Sequence, residues 1–133
     1  MILQERIEGH DCLRCIVIGD ELRVFRYDSR RPFMERHVTD DPPSSIPGDL
    51  AATQARTLTG ALGYDIDTVE FAVRDGVLYA IDCLNAAPDF DSFSIKDDGF
   101  RWVLDRMCDL VLRYARGEAD PPWRGAHRWG RFV

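Results

Sequence analysis

Apolar and polar residues alternate on both sides of Asp75-Gly76, in the stretch that reads YDIDTVEFAVRDGVLYAIDCLNAAPDFD from Tyr64 to Asp91. Strict alternation over five or more residues is typical of a half-buried β-strand. An Asp-Gly pair between two such runs is a strong signal for a tight turn that joins antiparallel strands. The sequence therefore predicts a β-hairpin here, and the rest of the fold is expected to form around it.

Two registers are compatible with this hairpin. A two-residue loop would set Val69 opposite Asp82 and Glu70 opposite Ile81, which mixes acids and hydrocarbon on both faces. A three-residue loop over 74–76 instead collects the apolar side chains on one face, namely Val69, Phe71, Val73, Val77, Tyr79 and Ile81. Since a slip of one residue would move this whole set to the wrong face, we predict the three-residue loop. Glu70 and Asp82 then become diagonal neighbours on the opposite face.

Two neighbouring carboxylates repel each other unless a positive charge lies between them. Mg²⁺ is a natural candidate for Glu70 and Asp82, because it binds one or two carboxylates together with substrate phosphates. Asn85 follows shortly after Asp82 and could supply a neutral oxygen ligand. The alternative interpretation is that both acids are simply solvated on the polar face of an antiparallel sheet.

A second hairpin is predicted over 12–18 and 22–27, joined at Gly19-Asp20-Glu21. A three-residue loop there places Arg14 opposite Arg26 on one face. That arrangement is unfavourable unless an anion such as a phosphate or a carboxylate bridges the two guanidinium groups. Ion pairing with surface acids is the alternative, and it suits Arg23 in particular.

Helical spacing appears in two further segments. The first runs from Pro47 to Leu62 and stops at Gly63, with an apolar stripe of Ala51, Ala55, Leu58 and Leu62. The second runs from about Gly99 to Arg116, with a predicted core face of Phe100, Val103, Leu104, Met107, Val111 and Tyr114. With the hairpins, these predict an α+β fold: an antiparallel sheet of two hairpins with two helices packed on one face.

The segments outside these elements are polar or rich in proline. Residues 28–46 are predicted to form a long loop, in which His37 is either a proton shuttle or a solvated side chain. Residues 117–133 form a tail rich in Arg and Trp, beyond a domain that we place at 1–116. Such a tail could stack on single-stranded nucleic acid, or its tryptophans could pack on the domain or a partner.

The composition is that of an ordinary globular domain, with 133 residues, 45% hydrophobic and 30% charged. The net charge of −6 argues against general nucleic-acid binding, which needs a basic surface. No apolar run is long enough for a membrane span, and the start does not have the pattern of a signal peptide. We therefore expect a cytoplasmic protein that has no membrane partner.

The four cysteines do not have the spacing of a metal site. Cys12 and Cys15 have the CxxC form, but the second pair that zinc binding would require is missing. Cys83 and Cys108 stand alone in a predicted strand and a predicted helix. Buried, reduced thiols are the favoured interpretation over zinc binding or redox chemistry.

The acidic strand TVEFAV, the glycine turn and the strand YAIDCLNAAP together resemble the metal-binding end of the ATP-grasp ligases. The opening stretch QERIEGHDCLRCIVIGDELRVF resembles the part of that fold just before it, a hinge strand followed by a strand that carries an arginine. The order of the pieces also matches, and the similarity covers roughly residues 3 to 91. It is carried by order and spacing rather than by any single motif, and Asp82 and Asn85 are three residues apart where two is usual.

The resemblance implies a role for each matching residue. Glu70, Asp82 and Asn85 would hold Mg²⁺ between the β- and γ-phosphates of ATP. Arg14 would be the catalytic residue that steadies an acyl phosphate or the γ-phosphate. The implied nucleotide-binding residues are Glu5, Ile7 and Asp11. Arg26 joins them as a candidate because its predicted pairing with Arg14 would need a bridging anion such as a nucleotide phosphate. The activity implied is an ATP-dependent carboxylate–amine or carboxylate–thiol ligase.

The same resemblance implies that part of the ATP-binding unit lies elsewhere. The family's phosphate-binding lysines and glycine-rich loop precede the hinge strand, whereas Lys96 is the only lysine in this sequence. We therefore expect the chain to be inactive alone and to work with a separate N-terminal lobe or as a self-associated dimer. A non-catalytic remnant or binding module of the same fold, without nucleotide activity, is the alternative.

Overall fold

Five antiparallel strands and two helices make up the computed structural model, which describes residues 3, 5–7, 11–28, 30–32, 35–39, 46, 48–85 and 87–119. The elements in chain order are β1 (Asp11–Ile18), β2 (Glu21–Tyr27), β3 (His37–Thr39), α1 (Gly48–Leu62), β4 (Ile66–Arg74), β5 (Val77–Asp82) and α2 (Ser92–Arg116). All strands belong to one sheet in the order β3-β2-β1-β4-β5. The predicted α+β class, with two hairpins in one antiparallel sheet and two helices, is confirmed.

The two helices cover opposite faces of the sheet and do not share one face as predicted. On one face, Leu13, Cys15 and Val17 of β1 pack in a core with Ala51 and Ala55 of α1. On the other face, a second core contains Ile16 and Ile18 of β1 with Ile95, Val103 and Leu110 of α2. Because side chains alternate along a strand, β1 supplies both cores and is the centre of the molecule.

Helix α1 agrees with the sequence prediction to within one residue at its start. Ala51 and Ala55 are fully buried, so the predicted stripe is the face that contacts the sheet. These small side chains allow the helix to approach β1 closely, and the Cys15 thiol lies 3.9 Å from the Ala51 carbonyl oxygen. Gly63 ends the helix with a positive φ of 74°, a conformation that glycine adopts without strain.

Helix α2 begins earlier than predicted, and the face that it buries overlaps only partly with the predicted one. Asp91 is its N-cap, and the helix is interrupted at Lys96, which has φ 63° and ψ 168°. Gly99 packs against Phe25, where an added Cβ would lie 3.1 Å from the ring. Of the predicted core residues, Val103 is buried and Met107 and Tyr114 are partly buried, but three are exposed by 40–62%, namely Phe100, Leu104 and Val111.

The β4–β5 hairpin forms where it was predicted, but the predicted three-residue loop is wrong. Arg74 pairs with Val77, so Asp75 and Gly76 alone make the turn. Both have positive φ, 54° and 74°, as a type I′ turn requires. A register shift between Glu70 and Phe71 then leaves Ile81 as an extra residue, a β-bulge. Leu78, rather than Val77 or Ile81, packs against the α1 core.

The β1–β2 hairpin also turns in two residues, Gly19 and Asp20, and the predicted pairing of Arg14 with Arg26 is wrong. Arg14 is opposite Phe25, and Arg26 is opposite Leu13. Consecutive positions point to opposite sides of a strand, so the two arginines lie on opposite faces of the sheet.

The segment predicted as a long loop contains a strand. His37–Thr39 forms β3 and pairs with the end of β2. The proposed tail beyond residue 119 lies outside the described residues. None of the helices within the described ranges is long and apolar enough to cross a membrane.

Candidate functional site

Arg14, Glu70 and Asp82 form a row across three neighbouring strands, and we refer to them as the charged row. Arg14 of β1 pairs with Glu70 of β4, and Glu70 pairs with Asp82 of β5. Directly opposed residues of antiparallel strands project on the same face, here the face covered by α2. The bulge at Ile81 produces this alignment, because without the extra residue Asp82 would project on the other side. The predicted proximity of Glu70 and Asp82 is confirmed, as direct partners rather than diagonal ones.

Arg14 is held inside the protein, with 8% of its side chain exposed. Its Nη2 donates a hydrogen bond of 2.8 Å to the backbone oxygen of Asp89. Its Nε lies 3.7 Å from Oε1 of Glu70, which is close enough for an ion pair but too long for a hydrogen bond. Within the described part of the chain, this buried Nε has no hydrogen-bond partner. One N–H of the arginine therefore lacks an acceptor within this part of the structure.

The two acids differ in their surroundings. Glu70 has 30% of its side chain exposed, and burial raises its pKa above the usual value. The charge of Arg14 lowers that pKa, while the neighbouring charge of Asp82 raises it. Asp82 itself is exposed. Glu70 thus sits between a buried cation and a solvated anion, where a second positive charge would favour its ionised form.

The turn that precedes α2, which contains Asp89, fixes the position of the Arg14 guanidinium. The side chain of Asp89 accepts hydrogen bonds from the Asp91 backbone N–H at 3.0 Å and from Ser94 Oγ at 2.7 Å. The bond from Asp91 is the main reason why the pKa of Asp89 is below its usual range. Ser94 is itself tied to the N-cap Asp91 at 2.8 Å. These bonds fix the turn so that the Asp89 carbonyl faces Arg14.

The charged row combines two carboxylates with an arginine, and each of these groups has a known affinity for ions. Mg²⁺ usually takes one or two carboxylates and completes its octahedron with water and phosphate oxygens. Among residues that the structure describes, no group of three or more His, Cys, Asp or Glu could hold a metal. Two carboxylates are too few to hold a metal ion with protein ligands alone. A cation bound there would take its remaining ligands from water or from phosphate oxygens.

Asn85, the third predicted metal ligand, lies beside another acid. Its backbone N–H lowers the pKa of Asp67, which projects toward α1 on the opposite face from the row. Asp67 is fully buried and accepts a hydrogen bond of 3.1 Å from Thr59 of α1. The structure therefore anchors the Asn85 backbone near Asp67.

Two of the residues predicted to bind the nucleotide, Glu5 and Arg26, lie away from the charged row. Glu5 is exposed, and its carboxylate lies 3.0 Å from Arg74 Nη1 next to the β4–β5 turn. Ile7 is half-buried, and Asp11 opens β1 opposite Val73. Arg26, as described above, is on the other face of the sheet.

The prediction of buried thiols is correct for Cys15 alone, since Cys12 and Cys83 are partly buried and Cys108 is exposed. None of the four, which all lie in described parts of the chain, forms a disulfide. Burial raises the pKa of the Cys15 thiol to about 12, which makes it a poor nucleophile. Cys12 and Cys15 are three residues apart on β1, so they project on opposite faces of the sheet. That geometry excludes a shared metal or a disulfide between them.

Sequence reasoning missed Asp67, Thr59 and Asp89. Asp67 had a visible signal, because it shares a strand face with three apolar residues, Val69, Phe71 and Val73. An acid at such a position must be buried. Asp89 acts through its backbone oxygen, which no side-chain pattern reveals.

No protein-family model, curated protein or solved structure matches this chain.

Proposed function

We propose that the charged row binds a Mg²⁺ ion together with phosphate groups of a nucleotide, as the Mg-ATP-holding half of an ATP-grasp ligase. The observation that supports this most directly is the alignment of Arg14, Glu70 and Asp82 on one face, in adjacent strands. The resemblance of the sequence to the metal-binding end of that family supports the choice of ATP among phosphate compounds.

Under this proposal each residue of the row has one task. Glu70 and Asp82 hold the cation, and Asn85 is a further oxygen ligand if its side chain turns toward Asp82. The Nε of Arg14, which has no hydrogen-bond partner among the described residues, donates to a phosphate oxygen. Bound Mg²⁺ supplies the charge neutralisation that phosphoryl transfer requires. The product class is that of a carboxylate–amine or carboxylate–thiol ligase, completed by a lysine-bearing lobe.

A non-catalytic binding module is the second candidate. The observation that favours it is the ion pair itself, since Arg14 already neutralises Glu70 without any ligand. On that interpretation the row is part of the sheet's structure, and cation binding is not expected.

A thermal-melt titration with MnCl₂, with and without a non-hydrolysable ATP analogue, distinguishes the two. Binding only to the folded state raises the unfolding free energy, by about 1.4 kcal/mol at ten times Kd. We expect such a rise in the wild type, and we expect Glu70→Gln to abolish it. Glu70→Gln also removes the counter-charge of the buried Arg14, so its metal-free Tm is measured separately from its cation response.

Asp105→Asn is the matched control, since Asp105 is an exposed acid of α2 outside the row. It removes the same charge and should leave the cation response intact. An equal rise in Tm with MnCl₂ in wild type and Glu70→Gln would contradict the proposal. The non-catalytic binding module would then be the better supported function.

A further inference from the structure

The charged row already contains a cation, and that cation is the guanidinium of Arg14. Glu70 and Asp82 are directly opposed carboxylates, an arrangement that is unfavourable without a counter-charge. Arg14 is opposed to Glu70 from the other side, and its Nε is 3.7 Å from the carboxylate. In the protein without ligand, the arginine therefore does what a bound metal would do for Glu70.

The contact between Arg14 and Glu70 is incomplete. A buried guanidinium N–H normally has an acceptor at hydrogen-bond distance, because an unmade bond to a charged group is costly. Here the buried Nε of Arg14 has no such acceptor among the described residues, while Nη2 is fixed by the Asp89 carbonyl. The arginine is thus held in place by the turn before α2 and keeps one donor for an incoming anion.

We infer that Arg14 is the internal counter-ion of the acid pair and that it couples cation binding to anion binding. A divalent cation must share Glu70 with Arg14, so cation binding alone is weak. An anion that accepts the Arg14 Nε–H draws the positive charge away from Glu70, and the cation then binds more tightly. By linkage, the cation strengthens anion binding by the same factor. The inference rests on the proposed cation site, and it adds how that site responds to a phosphate-bearing ligand.

The first test needs no ligand. The unfolding free energies of wild type, Arg14→Gln, Glu70→Gln and the double variant are measured in the presence of a chelator. We expect the double variant to be more stable than Arg14→Gln, because the lone variant leaves Glu70 facing Asp82 without a counter-ion. Losses that simply add would overturn the counter-ion role.

The second test is a Mg²⁺ titration of the same proteins, in chloride and in sulfate of equal ionic strength. Removing one positive charge about 4 Å from the cation's ligand changes affinity by about fivefold or more. We expect Arg14→Gln to bind Mg²⁺ at least fivefold more tightly in chloride. We expect sulfate to strengthen Mg²⁺ binding in the wild type and not in Arg14→Gln. Weaker Mg²⁺ binding by Arg14→Gln, or an equal effect of sulfate on both, would overturn the coupling.

Arg23→Gln is the matched control. Arg23 projects on the same face, one pair further along β2, but its guanidinium pairs with Asp98 of α2 at 2.8 Å. It should leave the Mg²⁺ titration unchanged. If Arg14→Gln does not fold, Arg14→Lys takes its place. Lysine retains the positive charge but lacks the Nε–H of the guanidinium, so this variant should keep the weak Mg²⁺ affinity of the wild type in chloride. Absence of any Mg²⁺ response in all these proteins would contradict the proposed function. The counter-ion role would still be decided by the unfolding free energies of the four proteins measured with chelator.

Discussion

At the scale of single residues, Asp67 is the clearest case of an acidic side chain in an environment that disfavours its charge. Its carboxyl is fully buried between β4 and α1, where Thr59 Oγ1 donates to Oδ2 at 3.1 Å. Its other oxygen has no hydrogen-bond partner within the described ranges. Burial raises the pKa of Asp67, only partly offset by the hydrogen bond from Thr59 and by the backbone N–H groups of Asn85 and Thr68. The charged form of this residue is therefore destabilising in the folded state.

The pH dependence of stability should reveal Asp67. A carboxyl whose pKa is higher in the folded state contributes stability at low pH, which is lost as the pH rises from its ordinary value of 3.8 through the raised value. We expect the unfolding free energy of the wild type to fall relative to that of Asp67→Asn over this rise. Chemical denaturation of both proteins at pH values from about 3.5 to about 7.5, in steps of about half a unit, measures the difference in their unfolding free energies.

Asp98→Asn provides the control of opposite sign. The hydrogen bond from Arg23 lowers the pKa of Asp98, so the wild type should gain stability relative to this variant as the pH rises through the acidic range. A difference between wild type and Asp67→Asn that does not change with pH would show that Asp67 ionises as it does in the unfolded chain.

Among single residues, the sequence predicted the acids of the site better than their partners. Glu70 and Asp82 do lie near each other, but through the bulge at Ile81 and not through the three-residue loop from which their proximity is predicted. The partnership of Arg14 with Glu70 joins strands that are far apart in the sequence, and the β1–β4 pairing is needed to see it. Local patterns do not determine such a pairing.

At the scale of the elements, the main error of sequence reasoning concerns how each hairpin turns. Alternation favours a three-residue loop, because that loop sorts the apolar residues of β5 onto one face. The chain instead uses the two-residue turn at Asp75-Gly76 and adjusts the faces with a bulge at Ile81. Bulges are common in edge strands such as β5, and the alternation of apolar and polar residues does not predict where one occurs.

Helix α2 shows a second limit of periodicity. Its apolar residues cover more than one face, so the spacing alone allows more than one orientation toward the sheet. The observed orientation brings Gly99 against Phe25 and buries Ile95, which precedes the predicted start. The absence of a side chain at Gly99 permits this close approach, and the sequence pattern gave it no weight.

Two glycines in helices should therefore respond in opposite ways to alanine. Around Gly60 in α1 an added Cβ meets nothing within 4 Å, so Gly60→Ala should stabilise the protein by about 0.5–1 kcal/mol. At Gly99 the same Cβ would lie 3.1 Å from Phe25 Cε1 and 3.2 Å from Ile95 Cβ. Gly99→Ala should lose this gain to overpacking and destabilise the protein by about 1–3 kcal/mol.

Urea denaturation of the two variants beside the wild type gives both values under identical conditions. Equal stabilisation by both substitutions would mean that α2 does not pack against β2 at Gly99.

At the scale of the whole molecule, the position of β1 explains why two helices on one face was the wrong arrangement. The run Cys12 to Ile18 is apolar at every position except Arg14. Near-continuous apolar runs are typical of strands buried on both faces, and β1 is such a strand in an antiparallel sheet. Arg14 is then the single charged side chain in this run, and it is paired with Glu70 of the acid pair on the neighbouring strand. The same reading of the run would have predicted helices on both faces.

The last prediction concerns what the 133-residue chain can do alone. Phosphoryl transfer depends on several preorganised positive charges around the phosphates, and the loss of one such contact typically costs about 10²–10³ in rate. Under the proposed function the charged row would supply Arg14 and one bound cation, while the single lysine, Lys96, is exposed in the first turns of α2. We therefore expect the purified chain, incubated with ATP and Mg²⁺, to release no phosphate above the uncatalysed background, even where Mn²⁺ raises its Tm. The assay is run beside Glu70→Gln and Asp105→Asn. Phosphate release that Glu70→Gln abolishes and Asp105→Asn retains would show that the row is a complete catalytic site, and the requirement for a second lobe would be wrong.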